Sequence, residues 1–504
     1  MHFVDSARQL YRHRWVQLLS VVCVLLILVS AFVLPRLNAH AANATPSSPQ
    51  AATCPANTSS WPSTFLGDNS RSNFNAAETT INPSTAASLQ LCWEDLGAHL
   101  APISAQPVLS NGLLYWGSWS GHEHASNPAT GNQGPNGWST FIGLTRAPNC
   151  YPPKEGVAST PTIATVTING QPTSVVFVGG GDSNFYALDA LKGKIIWHHK
   201  LGIGQSSSFI WGSPAYYNGS VYIGLSSVGD CPLIQGQIFQ LDPASGKILH
   251  TFNVVPDGCI GATVWGSVTI DEQTGKLYFA TGNGGTCSQK EPYALSLVEL
   301  NASDLSFVSS WRVPGLKGDR DFGSTPTLFQ ATINGNPVNM IGLINKNGTY
   351  YALNRDNIAA GPVWQDQLAL SKKLGGNGVD ISSSAWDGTR LYAAANITTY
   401  NGMSCKSTVS AINPVDGSYL WRNCLNTGPQ WAPVMTIPGL VIVGSGATLY
   451  VFNATNGSTL FSYTAAHTGA YMSSSVAVSN GVLYTGDFHG DLYAFTPSSA
   501  IRHG

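Results

Sequence analysis

The sequence predicts an all-β fold, an eight-bladed β-propeller of four-stranded blades behind an N-terminal hydrophobic export or anchor helix. Three observations predict the ring. A unit recurs from near Pro107, Pro161, Pro214, Ser267, Pro326, Ser384, Pro433 and Ser474, mostly 49 to 59 residues apart with one spacing of about 41. Each unit reads as four short alternating strands, and no segment beyond the N-terminus has helical periodicity. The third strand of a unit tends to end in Ala-Leu-Asp or a relative, with a Gly turn and then an aromatic residue. The clearest copy is Tyr186-Ala187-Leu188-Asp189, Gly193 and Trp197, and Gln240-Leu241-Asp242 with Gly246 and His250 varies it. Four-stranded units at this period are propeller blades.

Taken in chain order, residues 1–41 read as a signal peptide or signal anchor. Arg8, Arg12 and Arg14 precede an apolar run from Val16 to Leu34, long enough to span a bilayer. Pro35 ends it, and Ala39-His40-Ala41 is a small-x-small cleavage pattern. A cleaved signal and a retained membrane tether both stay open, and both place the remainder outside the cytoplasm, secreted or anchored to the cell membrane. Cys23 has no lipobox before it, which argues against a lipid anchor. Residues 42–60 are rich in Ala, Ser, Thr, Asn and Pro and read as a flexible linker. Within residues 61–105, Leu89-Gln90-Leu91-Cys92-Trp93 can supply the outer strand that the last unit lacks, closing the ring and leaving only short sheet edges. Residues 106–497 form the propeller and 498–504 a tail. The repeated Trp residues are expected to be structural rings between blades.

The eight cysteines after Cys23 favour disulfides in an exported chain, with Cys405–Cys424 the first candidate because both lie in one unit. The other pairings stay open. No Cys-x-x-Cys supports a zinc ribbon or attached haem. Charged residues make up 10% of the 504 residues, and the net charge is −2. This excludes a basic nucleic-acid footprint, so no nucleic-acid partner is expected. Hydrophobic residues at 43% exclude disorder for most of the length. His122 and His124 share a strand face as a His-x-His pair would, but no third ligand is evident, and a strand after a turn is the expected reading. Gly179-Gly180-Gly181 has no following helix and is not a nucleotide loop.

The Ala-Leu-Asp, Gly, Trp repeat resembles that of the eight-bladed quinoprotein alcohol dehydrogenases and the wider pyrroloquinoline quinone-binding-like propellers, including polyvinyl-alcohol dehydrogenase-like members. The resemblance covers about residues 61–496, and the stretch from Trp61 to Ile81, with Asp68, Arg71 and Glu78, looks like that family's leading segment. Val264-Trp265-Gly266, followed eighteen residues after the Trp by Asn283 of Thr281-Gly282-Asn283, looks like the indole floor under the quinone and a Ca²⁺ ligand. A planar cofactor stacks on an indole, and a hard cation takes carbonyl or carboxylate oxygen. Asp319-Arg320-Asp321-Phe322 resembles the paired-aspartate motif, which implies Asp321 as general base beside the Ca²⁺. Asn345-Lys346-Asn347-Gly348 resembles the cation-Asn-Gly strand, which implies Lys346 as the electrophilic cation at the quinone oxygens. Asp230 stands where the family places a Glu ligand, one residue displaced, and Arg146 is a candidate for a cofactor carboxylate.

The resemblance thus implies catalytic Asp321 and Lys346, cofactor-binding Trp265, Lys346 and Arg146, and metal ligands Asn283, Asp230 and Asp321. It implies an exported dehydrogenase of a small alcohol or polymeric polyol, using pyrroloquinoline quinone and Ca²⁺. No fused haem segment is found, so electrons are expected to pass to a separate acceptor. The chain departs from the family's pattern in having no adjacent cysteine pair, with Cys150 alone in the comparable loop. It also has no clear counterpart of a sixth-blade Asn between Gly375 and Asp387. The alternative is a non-catalytic extracytoplasmic scaffold binding protein or glycan, since cofactor-free propellers, outer-membrane assembly lipoproteins among them, carry the same repeat.

Overall fold

A computed structural model describes residues 53–95, 101–203, 205, 207–287, 290–316, 318–370 and 379–501. The expected N-terminal helix, its cleavage site and most of the linker lie outside the described residues. The described residues contain no α-helix, and eight antiparallel blade sheets follow one another along the chain, each of four strands, with the short strand Ser208–Phe209 added to blade 3. Their innermost strands are Val108–Ser110, Thr162–Ile168, Ala215–Tyr217, Thr269–Asp271, Thr327–Ile333, Ala385–Trp386, Met435–Ile437 and Ala477–Ser479 for blades 1 to 8. Each blade then runs outward. In blade 8 the outermost strand is Leu89–Asp95, antiparallel to Leu492–Pro497, and a Cys54–Cys92 disulfide tacks that strand to the chain before it.

Hydrophobic burial lies between blades. One cluster joins Val108, Tyr115 and Trp138 of blade 1 to Val176, Val178 and Leu188 of blade 2. The repeat residues explain the joint. The indole N–H of the outer-strand Trp in one blade donates to a carbonyl at the turn of the next: Trp138 to Ala190 at 2.9 Å, Trp197 to Pro243 at 3.0 Å, Trp364 to Pro414 and Trp421 to Ala454, both at 2.8 Å. Trp93 of the closing strand bonds Pro128 of blade 1 in the same way at 3.1 Å, so the ring closes with the joint used elsewhere. Gly246 shows why the turn residue is Gly. Its φ is +71°, and a Cβ there would lie 2.5 Å from the Trp197 ring.

Two further devices hold the inner rim. The residues just before successive inner strands form a relay in which each backbone N–H donates to a hydroxyl of the next blade. The relay runs Gln106 to Thr160, Thr160 to Ser213, Ser213 to Ser267, Ser267 to Thr325 and Thr325 to Ser383. Ser and Thr at these positions are therefore joints as well as small fillers. Residues 62–75 wind along the inner strands and visit the blades in order. The carbonyls of Pro62, Ser63, Asn69, Ser70, Ser72 and Asn73 accept from Leu109, Ile163, Ile270, Leu328, Trp386 and Thr436. The Asn69 amide reaches Tyr216 of blade 3, and the Asn75 amide reaches Val478 of blade 8. Arg71 is buried at the centre of this coil, its guanidinium bonded to the carbonyls of Phe65, Asp68, Pro214 and Val268. Burial pushes its pKa down to about 10, against the attraction of Asp68, so it stays charged at neutral pH.

This coil leaves one face open. It bonds the inner strands at or near their second residues, and the chain from Asn69 to Glu78 also reaches the first turns of blades 4 and 8. The chain before an inner strand and the turn between the second and third strands lie together at the other end of the blade.

Candidate active site

Trp265, Asp321, Lys346, Asn283 and Asp230 all fall in such positions. Trp265 and Asp321 precede the inner strands of blades 4 and 5. Asp230, Asn283 and Lys346 follow the second strands Ser220–Ser227, Lys276–Ala280 and Asn336–Ile344. The five residues thus occupy the same end of their blades.

The side chains converge. Trp265 Nε1 donates to Asp321 Oδ2 at 2.8 Å. Lys346 Nζ lies 2.5 Å from Asp321 Oδ1 and 2.7 Å from Asp319 Oδ1, and stands 4.8 Å from the centroid of the Trp265 ring. The Asn283 amide donates to Asp319 Oδ1 and to Asp230 Oδ2, both at 2.9 Å, which joins blade 3 to blades 4 and 5. Asn283 Oδ1 is buried with no hydrogen-bond partner.

Local sequence builds each position. Asn345 donates to the carbonyls of Arg320 and Asp321, and the Lys346 N–H to that of Asp321, so the Lys turn clamps the paired-aspartate loop. Asn347 Oδ1 caps the Thr349 N–H, and Gly348, at φ +82°, leaves no room for a side chain because a Cβ would lie 2.4 Å from the Ala369 carbonyl. Gly323 lets the Trp265 ring lie against the chain, since a Cβ there would come within 2.0 Å of it.

Asp321 is 2% exposed. Burial pushes its carboxyl up to about 7, against the attraction of Lys346 and with help from the charges of Asp319 and Asp230. Burial works on the half-exposed Asp319 in the same sense, but Lys346 and the Asn283 amide outweigh it and hold that carboxyl below the usual range. Burial would lower the Lys346 pKa, and its two carboxylate partners raise it instead. At neutral pH the group is therefore a fixed cation, a fixed anion and a carboxyl poised between its two forms.

Arg146 is not brought to this group by any bond. It sits exposed on the Thr145–Arg146 strand, and its guanidinium makes no hydrogen bond or ion pair among the described residues. The hairpin that carries it is nevertheless tied to the site, because Cys150 is not alone: it is bonded to Cys231, next to Asp230. Cys150 and Cys231 lie 81 residues apart, so the sequence held no local cue to the pairing. The structure also pairs Cys259 with Cys287, and Cys405 with Cys424 as expected.

His122 and His124 bond the serines beside them, Ser120 and Ser118, and the His124 ring stacks on Trp116 at 3.9 Å. Among the described residues they belong to no group of three metal-ligating side chains.

Two features escaped the sequence reading. An arc of aromatic rings continues the open face: Trp211, Trp119, Phe488, Trp431 and Tyr471 follow one another with centroid separations of 5.9, 5.3, 5.6 and 5.9 Å. Asp380, within the interval searched for a sixth-blade Asn, is buried with Oδ1 accepting from the Asn396 N–H and Oδ2 unpartnered. Burial pushes its carboxyl up to about 7, against its bonds from Asn396. All six occupy the pre-inner-strand or second-turn positions. That repeat register, applied to every unit, is the signal that could have found them.

The ring and the group on its open face define an eight-bladed propeller with one ordered ionic centre at blades 3 to 5. A family model described as the glucose/ethanol/alcohol dehydrogenase β-propeller domain matches residues 61–366, and one described as outer membrane protein assembly factor BamB matches residues 346–500. The chain belongs to the first of these families, that of the pyrroloquinoline quinone-type propellers. It is 28% identical over 320 residues to a quinohemoprotein alcohol dehydrogenase of Comamonas testosteroni, covering 55% of this chain and 42% of that protein. It is 25% identical over 351 residues to a polyvinylalcohol dehydrogenase of a Sphingopyxis species, covering 58% of this chain and 52% of that protein. The chain thus spans about half the length of these curated relatives. Among solved structures, the quinohemoprotein alcohol dehydrogenase of Comamonas testosteroni superposes with a TM-score of 0.67 at 18% identity, over 88% of this chain and 81% of that one. A europium-containing methanol dehydrogenase gives 0.67 at 14% identity, over 86% and 98%. At these identities the superpositions carry the fold.

Proposed function

We propose that the protein is a dehydrogenase of alcohol or polyol groups that uses pyrroloquinoline quinone and Ca²⁺. The observation that carries this reading is the single cluster of Trp265, Asp321, Lys346, Asp319 and Asn283 on the open face. The relatives named as alcohol and polyvinylalcohol dehydrogenases support it. So does the position of the cluster, because Trp265, Asn283, Asp319, Asp321 and Lys346 all fall within the dehydrogenase match at residues 61–366.

The donor set fits both groups. A hard cation takes oxygen ligands, and Asn283 Oδ1 is a buried amide oxygen without a partner, next to the carboxylates of Asp230, Asp319 and Asp321. Trp265 supplies an indole face and Lys346 a fixed cation beside it for a planar, anionic quinone. When bound, the quinone supplies the two-electron acceptor, and Ca²⁺ the Lewis acidity beside it. The chain supplies the base: Asp321 takes the proton of the substrate hydroxyl. The Trp265 N–H fixes the orientation of Asp321 Oδ2, and Lys346 holds the counter-charge in place through the transfer. The aromatic arc from Trp211 to Tyr471 offers ring faces to the hydrocarbon part of a small alcohol or a polymeric polyol. The protein works outside the cytoplasm, secreted or tethered through its N-terminal segment, and passes electrons to a separate acceptor.

The scaffold alternative draws on the match of residues 346–500 to the assembly-factor family, and it leaves the buried ionic group in blades 3 to 5 without a use. Reconstitution separates the two readings. The purified chain, titrated with pyrroloquinoline quinone and Ca²⁺ in a calorimeter, is expected to bind at micromolar cofactor and then to oxidise alcohols with an electron-accepting dye. No heat of binding at that concentration overturns the proposal.

A further inference from the structure

Blade 8 carries a second cluster on the same open face, across the ring from blades 4 and 5. Its second turn reads Asp487-Phe488-His489-Gly490-Asp491, the counterpart of the Lys346 turn. His489 Nδ1 lies 2.9 Å from Asp491 Oδ2. His467, on the chain that joins blade 7 to blade 8, brings Nε2 to 4.0 Å from the same oxygen. The two imidazoles lie parallel, 4° apart, with centroids separated by 4.3 Å. One ligand atom from each of His467, His489 and Asp491 lies within 4.8 Å of the other two.

Two independent observations mark this group as rich in carboxylate oxygen and short of Lys or Arg counter-charge. Asp491 is completely buried, and its Oδ1 has no hydrogen-bond partner although Oδ2 has two. Around it stand two more carboxyls: Asp487, and Glu94 on the closing strand opposite Tyr493. Among the described residues, no Lys or Arg forms an ion pair with any of the three. The cluster at blades 4 and 5 solves the same problem with Lys346. Here no such side chain is supplied.

We propose that His467, His489 and Asp491 bind one borderline divalent cation of the Zn²⁺ type. Two imidazole nitrogens and a carboxylate suit such an ion better than Ca²⁺, which takes oxygen alone. With metal–nitrogen distances of about 2.0–2.1 Å, two ligands of one ion lie at most about 4.2 Å apart. The observed spread of 4.8 Å closes by a turn of His467, whose side chain is 45% exposed. The bound ion would tie the blade 7–8 connection to the blade that closes the ring. It would also pin the turn that presents Phe488 to Trp119 and Trp431.

The test uses the full chain, stripped with a chelator, and Co²⁺ as a spectroscopic probe. One equivalent of Co²⁺ is expected to give visible ligand-field bands, displaced by Zn²⁺ and not by Ca²⁺. Zn²⁺ is also expected to raise the unfolding midpoint. His467→Ala removes a half-exposed side chain and should fold. It is expected to weaken Co²⁺ binding about tenfold or more and to abolish the Zn²⁺-dependent rise. His489→Ala should do the same. Absence of binding by the wild-type chain, or equal binding by His467→Ala, overturns the site. Neither result depends on whether the quinone binds.

Discussion

Asp321 at blade 5 and Glu155 at the connection from blade 1 to blade 2 are both buried carboxyls, and the ring treats them differently. Asp321 has an ammonium at 2.5 Å and an indole N–H at 2.8 Å. Glu155, and Glu123 in the third strand of blade 1, have no protein donor on any of their four oxygens. Burial alone pushes Glu155 up to about 9 and Glu123 well above the carboxylate range. An unpartnered buried acid avoids the cost of an isolated charge by keeping its proton. The acid beside Lys346 is instead brought near neutrality, where it can exchange one. The difference separates a carboxyl that serves as packing from one that can act as a base.

The sharpest way to break this comparison is to remove the charge of Asp321 without its shape. Asp321→Asn is expected to retain quinone binding while turnover falls by about 10³, in the range of a lost general base. Reconstituted wild type and variant compared in the dye-linked assay decide the point, and unchanged turnover removes Asp321 from the role. A second change removes the cation. In Lys346→Met the attraction that holds Asp321 down is gone, so its carboxyl should move above 7 toward the behaviour of Glu155. In the metal-free chain the carboxyl of Asp321 is then protonated over a wider pH range, and its titration, followed by the carboxyl infrared band in difference spectra of wild type and variant, is expected to shift upward by about one unit or more. A titration that stays in place shows that Lys346 does not set the base.

The two regions also differ in how far the sequence discloses them. The blade count follows from the repeat because most units solve the same packing problem in one way, with a Trp docking on a Gly of the next blade. Trp265, Asn283, Asp321 and Lys346 are legible because each lies in a short motif whose neighbours, such as Asn345 and Gly348, have fixed local duties. Glu155, His467 and the partner of Cys150 are not legible in this way. Their meaning comes from residues tens of positions away or in another blade, as the 81-residue separation of Cys150 and Cys231 shows. Arg146 marks the limit of analogy: the loop it occupies is strapped to Asp230, while its guanidinium stays in solvent.

The smallest expected effect tests the other side of the comparison. If Glu155 is a neutral packing acid, the folded state holds its proton up to about pH 9 while the unfolded chain releases it near the ordinary value of 4.5. Between these values the native state binds the extra proton, so stability is greatest below the unfolded pKa and falls as pH rises toward the folded one. The slope from this single group is at most about 1.4 kcal/mol per pH unit. Glu155→Gln keeps the shape and removes the titration. Its unfolding midpoint should match wild type near pH 4.5 and exceed it at pH 8 by about 2 °C or more. Part of the pH dependence should survive, because Glu123 titrates in the same sense. Adding Glu123→Gln should flatten it further. Parallel pH–stability curves for wild type and Glu155→Gln would show that Glu155 is ionised in the folded chain. The contrast with Asp321 would then lie in geometry alone.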